Sequence, residues 1–81
     1  NQEFMLQTGL SLYPTITKDL IYIQGNTQQI EGVKIFNLGG QQISNVKTNA
    51  NVIDFSNLSS GVYLVKIKAQ GMEGDFKVVK E

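Results

Sequence analysis

The chain has 81 residues, no cysteine, no histidine and one proline, and its seven basic residues, all lysine, balance seven acidic ones. A domain this short buries only roughly 60–65% of the surface its unfolded chain exposes, so the core is expected to be thin. The composition excludes disulfides and thiolate metal sites and removes the commonest general base and the thiol nucleophile. Balanced charge without a basic run argues against a nucleic-acid partner. No apolar run approaches the ~20 residues of a membrane helix, so direct membrane insertion is not expected. The chain opens on Asn1 without a signal-peptide pattern. It reads as a C-terminal or excised piece whose targeting signal lies elsewhere.

Residues 1–10 show no clear period, and Asn1-Gln2-Glu3 and Thr8-Gly9 look like linker. This stretch is expected to be a tether from an upstream domain, with Phe4, Leu6 and Leu10 at most forming a short edge strand. Residues 11–81 then form the domain proper. Ser11-Leu12-Tyr13 is a strand that Pro14 ends, because proline has no amide proton to give a central ladder. A turn is expected over residues 15–19. Ile21 and Ile23 alternate with Leu20 and Tyr22 as the next strand, and Gly25-Asn26 opens a polar loop that runs to Glu31-Gly32. Residues 33–38 form a strand with Val33 and Ile35 on one face. Gly39-Gly40 turns it into a returning strand over 41–46. Lys47-Thr48-Asn49 reads as another turn, and residues 51–55 as a strand with Ile53 and Phe55 on one face.

Ser56-Asn57-Leu58 reads as a single helical turn with Ser56 as its cap. Ser59-Ser60-Gly61 is then a tight corner feeding the longest strand, 62–69, in which Tyr63, Val65 and Ile67 alternate with Leu64, Lys66 and Lys68. Tyr63 sits where a tyrosine corner would be, its hydroxyl bonding back to the chain between residues 54 and 60. Gln70-Gly71 turns the chain into a last strand over 76–80. Phe76 alternates with Val78, yet Val79 is apolar too, so the pattern leaves the buried face of this strand open. Seven or so short strands with regular turn signals, and no 3.6-residue period over a dozen residues, give an all-β, immunoglobulin-like antiparallel β-sandwich. Its expected core is Ile21, Ile23, Val33, Ile35, Ile53, Phe55, Tyr63, Val65 and Ile67.

Few groups carry chemistry. Glu73 and Asp75 have oxygens for a Ca²⁺, but two ligands are too few and acidic residues in a hairpin are usually solvated. Asp54 faces away from Ile53 and Phe55, which suits a turn-supporting or solvated role. Ser59-Ser60 lacks a base and is ordinary turn chemistry. No catalytic residue, metal or cofactor is expected. Lys66, Lys68, Lys77 and Lys80 all fall on the final hairpin. They either solubilise an exposed sheet or form a recognition surface. Tyr22 and Phe36 are the candidate exposed aromatics, for a sugar ring or for burial under covering segments.

Three separated motifs resemble the C-terminal sorting domain of type IX secretion cargo in the Bacteroidota. The first is Leu12-Tyr13-Pro14-Thr15-Ile16-Thr17-Lys18-Asp19-Leu20-Ile21-Tyr22-Ile23, similar to the family's Y-P-N-P, short turn and L-x-I. The second is Val33-Lys34-Ile35-Phe36-Asn37-Leu38-Gly39-Gly40-Gln41, like V-x-I-Y-D-x-x-G-R. The third and most specific is Ile53-Asp54-Phe55-Ser56-Asn57-Leu58-Ser59-Ser60-Gly61-Val62-Tyr63-Leu64-Val65-Lys66-Ile67, which matches I-D-L-S-x-L-x-x-G-x-Y-x-V-x-I almost throughout. Phe76-Lys77-Val78-Val79-Lys80-Glu81 resembles the basic tail on which such domains end. Thr15 and Ile16 depart from the opening Asn-Pro, which weakens a rigid entry turn. Asn37 and Gln41 replace Asp and Arg, which removes an ion pair and predicts a less fixed central hairpin.

The resemblance implies a non-catalytic addressing module. Such a module directs a cargo, carried upstream in the same polypeptide, through the periplasm to the cell surface or medium. The implied partners are the type IX translocon and its sortase, a cysteine peptidase that cuts the linker ahead of the domain, here within residues 1–10 around Thr8 and Gly9. Pro14, Leu58, Gly61 and Tyr63 are the structural positions of the motifs. Gly40, Lys66, Lys68, Lys77 and Lys80 are the candidate recognition residues. An immunoglobulin-like carbohydrate-binding or adhesion module is the alternative reading.

Overall fold

The computed structural model describes residues 2–44, 46–49 and 51–81. Asn1 of the expected tether and Asn45 of the expected strand 41–46 lie outside the described residues. Among the described residues, nine strands and one α-helix follow in chain order: α1 (Gln2–Thr8), β1 (Ser11–Tyr13), β2 (Ile16–Thr17), β3 (Leu20–Gln24), β4 (Ile30–Asn37), β5 (Gln42–Ile43), β6 (Lys47–Asn49), β7 (Val52–Asp54), β8 (Gly61–Ala69) and β9 (Met72–Lys80). One sheet has the order β1-β3-β7-β6 and the other β2-β9-β8-β4-β5. These are the A-B-E-D and C-F-G arrangements of the immunoglobulin fold, with β8 in the place of strand F.

The two strands beyond the expected seven lie where turns were expected. Residues 15–19 do not simply turn. Pro14 ends β1, and the chain crosses to the other sheet, where Ile16 and Thr17 run parallel to Val79 and Lys80. The five-stranded sheet is therefore mixed rather than wholly antiparallel. The Val79 amide donates to the Thr15 carbonyl at 2.7 Å and the Glu81 amide to the Thr17 carbonyl at 2.8 Å. A second proline at position 16 is not needed to hold this entry, because β9 holds it. Lys47–Asn49, likewise expected as a turn, is β6, an edge strand antiparallel to β7. Both misreadings have one cause: strands of two or three residues are too short to show a period and exist only through a neighbour's ladder.

The core follows the alternation. Ile21, Ile23, Ile35, Ile53, Phe55, Tyr63, Val65 and Ile67 are buried, and Val33 is half-buried against them. Leu12, Leu58, Ala69 and Val78 join this layer. Burial of Val78 and Gly74 settles β9: its even-numbered residues face inward and Glu73, Asp75 and Lys77 face out. Turn chemistry connects β8 to β9, with Gln70 at φ 55° and Gly71 at φ 72°.

The largest departure is at the start. Residues 2–8 form neither an edge strand nor an open polar stretch but a seven-residue helix. Phe4 is 1% exposed and Leu10 is fully buried. Phe4 lies edge-to-face with Phe76 at 6.0 Å between ring centroids. It fills a niche that exists because residue 74 is glycine: a Cβ there would lie 2.6 Å from Phe4 Cγ. The Thr8 hydroxyl donates to the Phe4 carbonyl at 2.6 Å and accepts from the Leu10 amide at 3.1 Å. A second contact of the same kind holds the exit, where Gly25, at φ 119°, passes so close that a Cβ would sit 3.1 Å from Leu10 Cδ2.

Candidate functional site

The corner between β7 and β8 is built from local hydrogen bonds. Asp54 Oδ1 accepts from the Ser56 amide at 2.9 Å, and the Leu58 amide donates to the Phe55 carbonyl at 2.9 Å. The segment is thus a turn, with Asp54 rather than Ser56 as its capping acceptor. Leu58 drops into the core, and the Tyr63 hydroxyl donates to the Ser59 carbonyl at 2.7 Å. The Tyr63 ring meets Phe55 edge-on, with centroids 5.6 Å apart. Gly61 opens β8 at φ 156°. This is the tyrosine corner of immunoglobulin-like domains, at the start of the strand-F equivalent. The hydroxyl bond contributes about 0.5–1.5 kcal/mol net, and it ties the connection between the sheets to the buried layer. The Asp54 carboxyl is held below the ordinary carboxylate range, chiefly by the Ser56 side chain and amide, with Lys47 adding attraction.

The outer face of the five-stranded sheet carries most of the candidate recognition residues. Lys34, Lys66 and Asp75 lie in one cross-strand row, and Gly32, Lys68 and Glu73 in the next. Gln42, Phe36, Leu64 and Lys77 form a third. Lys66 Nζ stands 3.9 Å from Asp75 Oδ1 and 5.8 Å from the Phe36 ring centroid. Glu73 and Asp75 therefore sit opposite lysines, and among the described residues no group of three or more carboxylates gathers to hold a metal. Lys80 stands apart: it pairs with Gly61 at the strand end, with the inward-facing parity, and its Nζ donates to the Glu81 carbonyl. Lys34 is the member that sequence reasoning missed. Its outward parity was readable between Val33 and Ile35, but that β4 lies beside β8 is a fact of tertiary structure.

Gly40 closes the turn between β4 and β5 at φ 86°, its amide donating to the Asn37 carbonyl at 3.1 Å. Where the family has an Asp–Arg pair, this hairpin has amide contacts between Asn37 and Gln41. Asn37 Oδ1 accepts from the Gln41 amide at 3.0 Å, and Asn37 Nδ2 donates to Gln41 Oε1 at 3.3 Å. Two neutral amides occupy the positions of the missing charges. The two candidate aromatics fall apart. Phe36 faces out from one sheet, while Tyr22 stacks on Tyr13 at 5.6 Å on the outer face of the other. They cannot share one sugar ring. Thr8 and Gly9 lie at the docked end of α1, with Thr8 buried and its carbonyl accepting from Gln29 Nε2 at 2.7 Å.

The strand order and the corner define an immunoglobulin-like sandwich whose outer surface bears opposed charges. Residues 11–81, all but the first ten, match the family of secretion-system C-terminal sorting domains, and the chain belongs to that family, the sorting signals of type IX secretion. The family is a secretion signal, which directs a protein toward the cell surface or the extracellular space. Among curated proteins no match was found.

Proposed function

We propose that this chain is a non-catalytic address label, read by the type IX translocon of a Bacteroidota cell after its cargo has crossed into the periplasm. The sortase then cuts it from the cargo within residues 1–10. Membership of the sorting family over residues 11–81 carries this reading. The recognition surface is the outer face of the five-stranded sheet, where Lys66, Lys68 and Lys77 of the motif region are joined by Lys34. Gly40 shapes the turn at one end of that face, and Lys80 serves the chain end instead. Charges on an exposed face set partner choice and encounter rate more than fold stability, which suits a label.

The test is export of a periplasm-targeted reporter fused to the full chain in a competent host. Wild type is expected to send the reporter outward. Replacing Lys66, Lys68 and Lys77 by alanine is expected to reduce export at least fivefold while the purified variant keeps its thermal midpoint. Undiminished export by the folded triple variant removes these lysines from recognition. Failure of the wild-type chain to export at all overturns the sorting reading.

A further inference from the structure

The segment that a peptidase would have to cut is part of the folded domain. Phe4 is enclosed by Gly74 and Phe76 of β9. The Gly9 amide donates to the Met5 carbonyl at 2.8 Å, Gln29 holds the Thr8 carbonyl, and Gly25 lies against Gly9. Helix α1 covers β9 where β2 does not reach, since β2 pairs only with Val79 and Lys80. Its outward side chains, Met5 and Leu6, are 41% and 85% exposed. A helix this short is unstable in water by itself, since isolated helices below about 12–15 residues are marginal. Off β9, such a segment is expected to lose its helix. Its helical part is anchored by the Phe4 ring in the Gly74 niche, and its exit by Leu10 against Gly25 and by Gln29.

We propose that residues 2–10 form a strap that shields its own backbone, so that cutting within them, at Thr8–Gly9 included, requires Phe4 to leave the Gly74 niche first. The inference rests on the reading that this segment is where the chain is cleaved. Hydrolysis adds one water across the peptide bond, through the peptidase's own thiol, leaving a carboxylate on Thr8 and an amine on Gly9. A peptidase takes its substrate as locally opened chain, so cleavage follows the population of the open strap when opening and closing are fast. The undocked state is the substrate, and whatever holds the strap off β9 switches cleavage on. A sorting domain with this device keeps its cargo attached while it is free in solution, and yields it when a partner engages the β9 edge.

The test uses the purified 81-residue chain and subtilisin, a broad-specificity protease unrelated to secretion. A synthetic peptide of residues 1–11 is the undocked reference, and mass spectrometry locates the cuts. The peptide is expected to be cut at least a hundredfold faster than the same bonds in the chain. Phe4→Ala and, separately, Gly74→Ala are each expected to speed cutting within residues 2–10 at least tenfold, while the fragment 11–81 persists. In the double variant the two effects should not add, because the niche matters only while the ring is present. Wild-type chain cut as fast as the peptide overturns the proposal, as does a folded Phe4→Ala chain cut no faster than wild type. If Phe4→Ala unfolds the whole domain, the peptide comparison and Gly74→Ala decide. The export test does not enter, so the strap and the sorting role stand or fall separately.

Discussion

The two open flanks of the sandwich are closed differently. On one flank, between β1 and β9, α1 lies across the gap, and the side chains beneath are sealed: Leu10, Ala69 and Val78 are fully buried. On the other flank, between β6 and β4, no helix or strand of the described residues crosses. There Ile23, Thr27, Ile30, Val33 and Thr48 line a cleft of about 270 Å³, and Ile30 and Val33 are only half-buried. Among the described residues, β5 pairs with β4 only at Ile35 and Phe36, and no strand pairs with residues 30–34 on that side. A register irregularity near Ile30, with Glu31, Gly32 and Lys34 along that edge, guards it against pairing with other chains. A thin sandwich cannot close both flanks with strands alone. Here one is closed by α1, which precedes β1, and the other is an open cleft edged by Glu31 and Lys34.

This contrast can be tested from its strongest member down. Removing the α1 closure should cost most. Phe4→Ala is expected to destabilise the domain by up to about 3–5 kcal/mol, the range for deleting a caged phenylalanine. It would be read as a lowered urea midpoint with an unchanged slope. A loss within about 0.5 kcal/mol, the range of ordinary surface substitutions, would mean that the flank is sealed without α1. Filling the open flank should have a smaller effect of opposite sign. Val33→Ile adds one methylene beside the cleft and is expected to gain up to about 0.8 kcal/mol, whereas a loss of about 1–3 kcal/mol would show that the space is already packed.

The smallest effect concerns the edge of the open flank, where Asp54 is paired in register with Lys47 of β6. The Asp54 pKa is lowered in the folded state. Its contribution is therefore complete above the unfolded value, near about 4, and fades as pH falls through the lower folded value. Asp54→Ala should lower the thermal midpoint slightly at pH 7, and the gap should close progressively below pH ~4. A gap that stays constant down to pH ~2 would assign the loss to packing instead.

Much of the molecule was legible because its signals are local. Alternation in residues 20–24 and 61–69 sets which side chains face in, and a one-residue slip would expose all of them. The corner was legible for the same reason: Ser59, Gly61 and Tyr63 lie close in sequence, and the bond from Tyr63 spans four residues. Lys66 and Lys68 of β8 were placed on one face by parity alone, whereas Lys77 joined them only once the structure fixed the buried face of β9.

What the sequence determined by itself is therefore the sandwich, its central strands, the corner and the sorting-family motifs, all of which depend on residues within a few positions of one another. Tertiary structure alone decided four things. It set the buried face of β9 and so the side of Lys77, because Val78 and Val79 are both apolar. It made β2 and β6 strands, because two or three residues gain a ladder only from β9 and β7. It brought Lys34 beside Lys66, because neighbouring strands in a sheet need not be neighbours in the chain. It also turned residues 2–8 from an apparent tether into a docked helix. Phe4 and Gly74 are seventy residues apart, and neither a lone phenylalanine nor a lone glycine announces a partner until folding places a ring against a position that has no side chain.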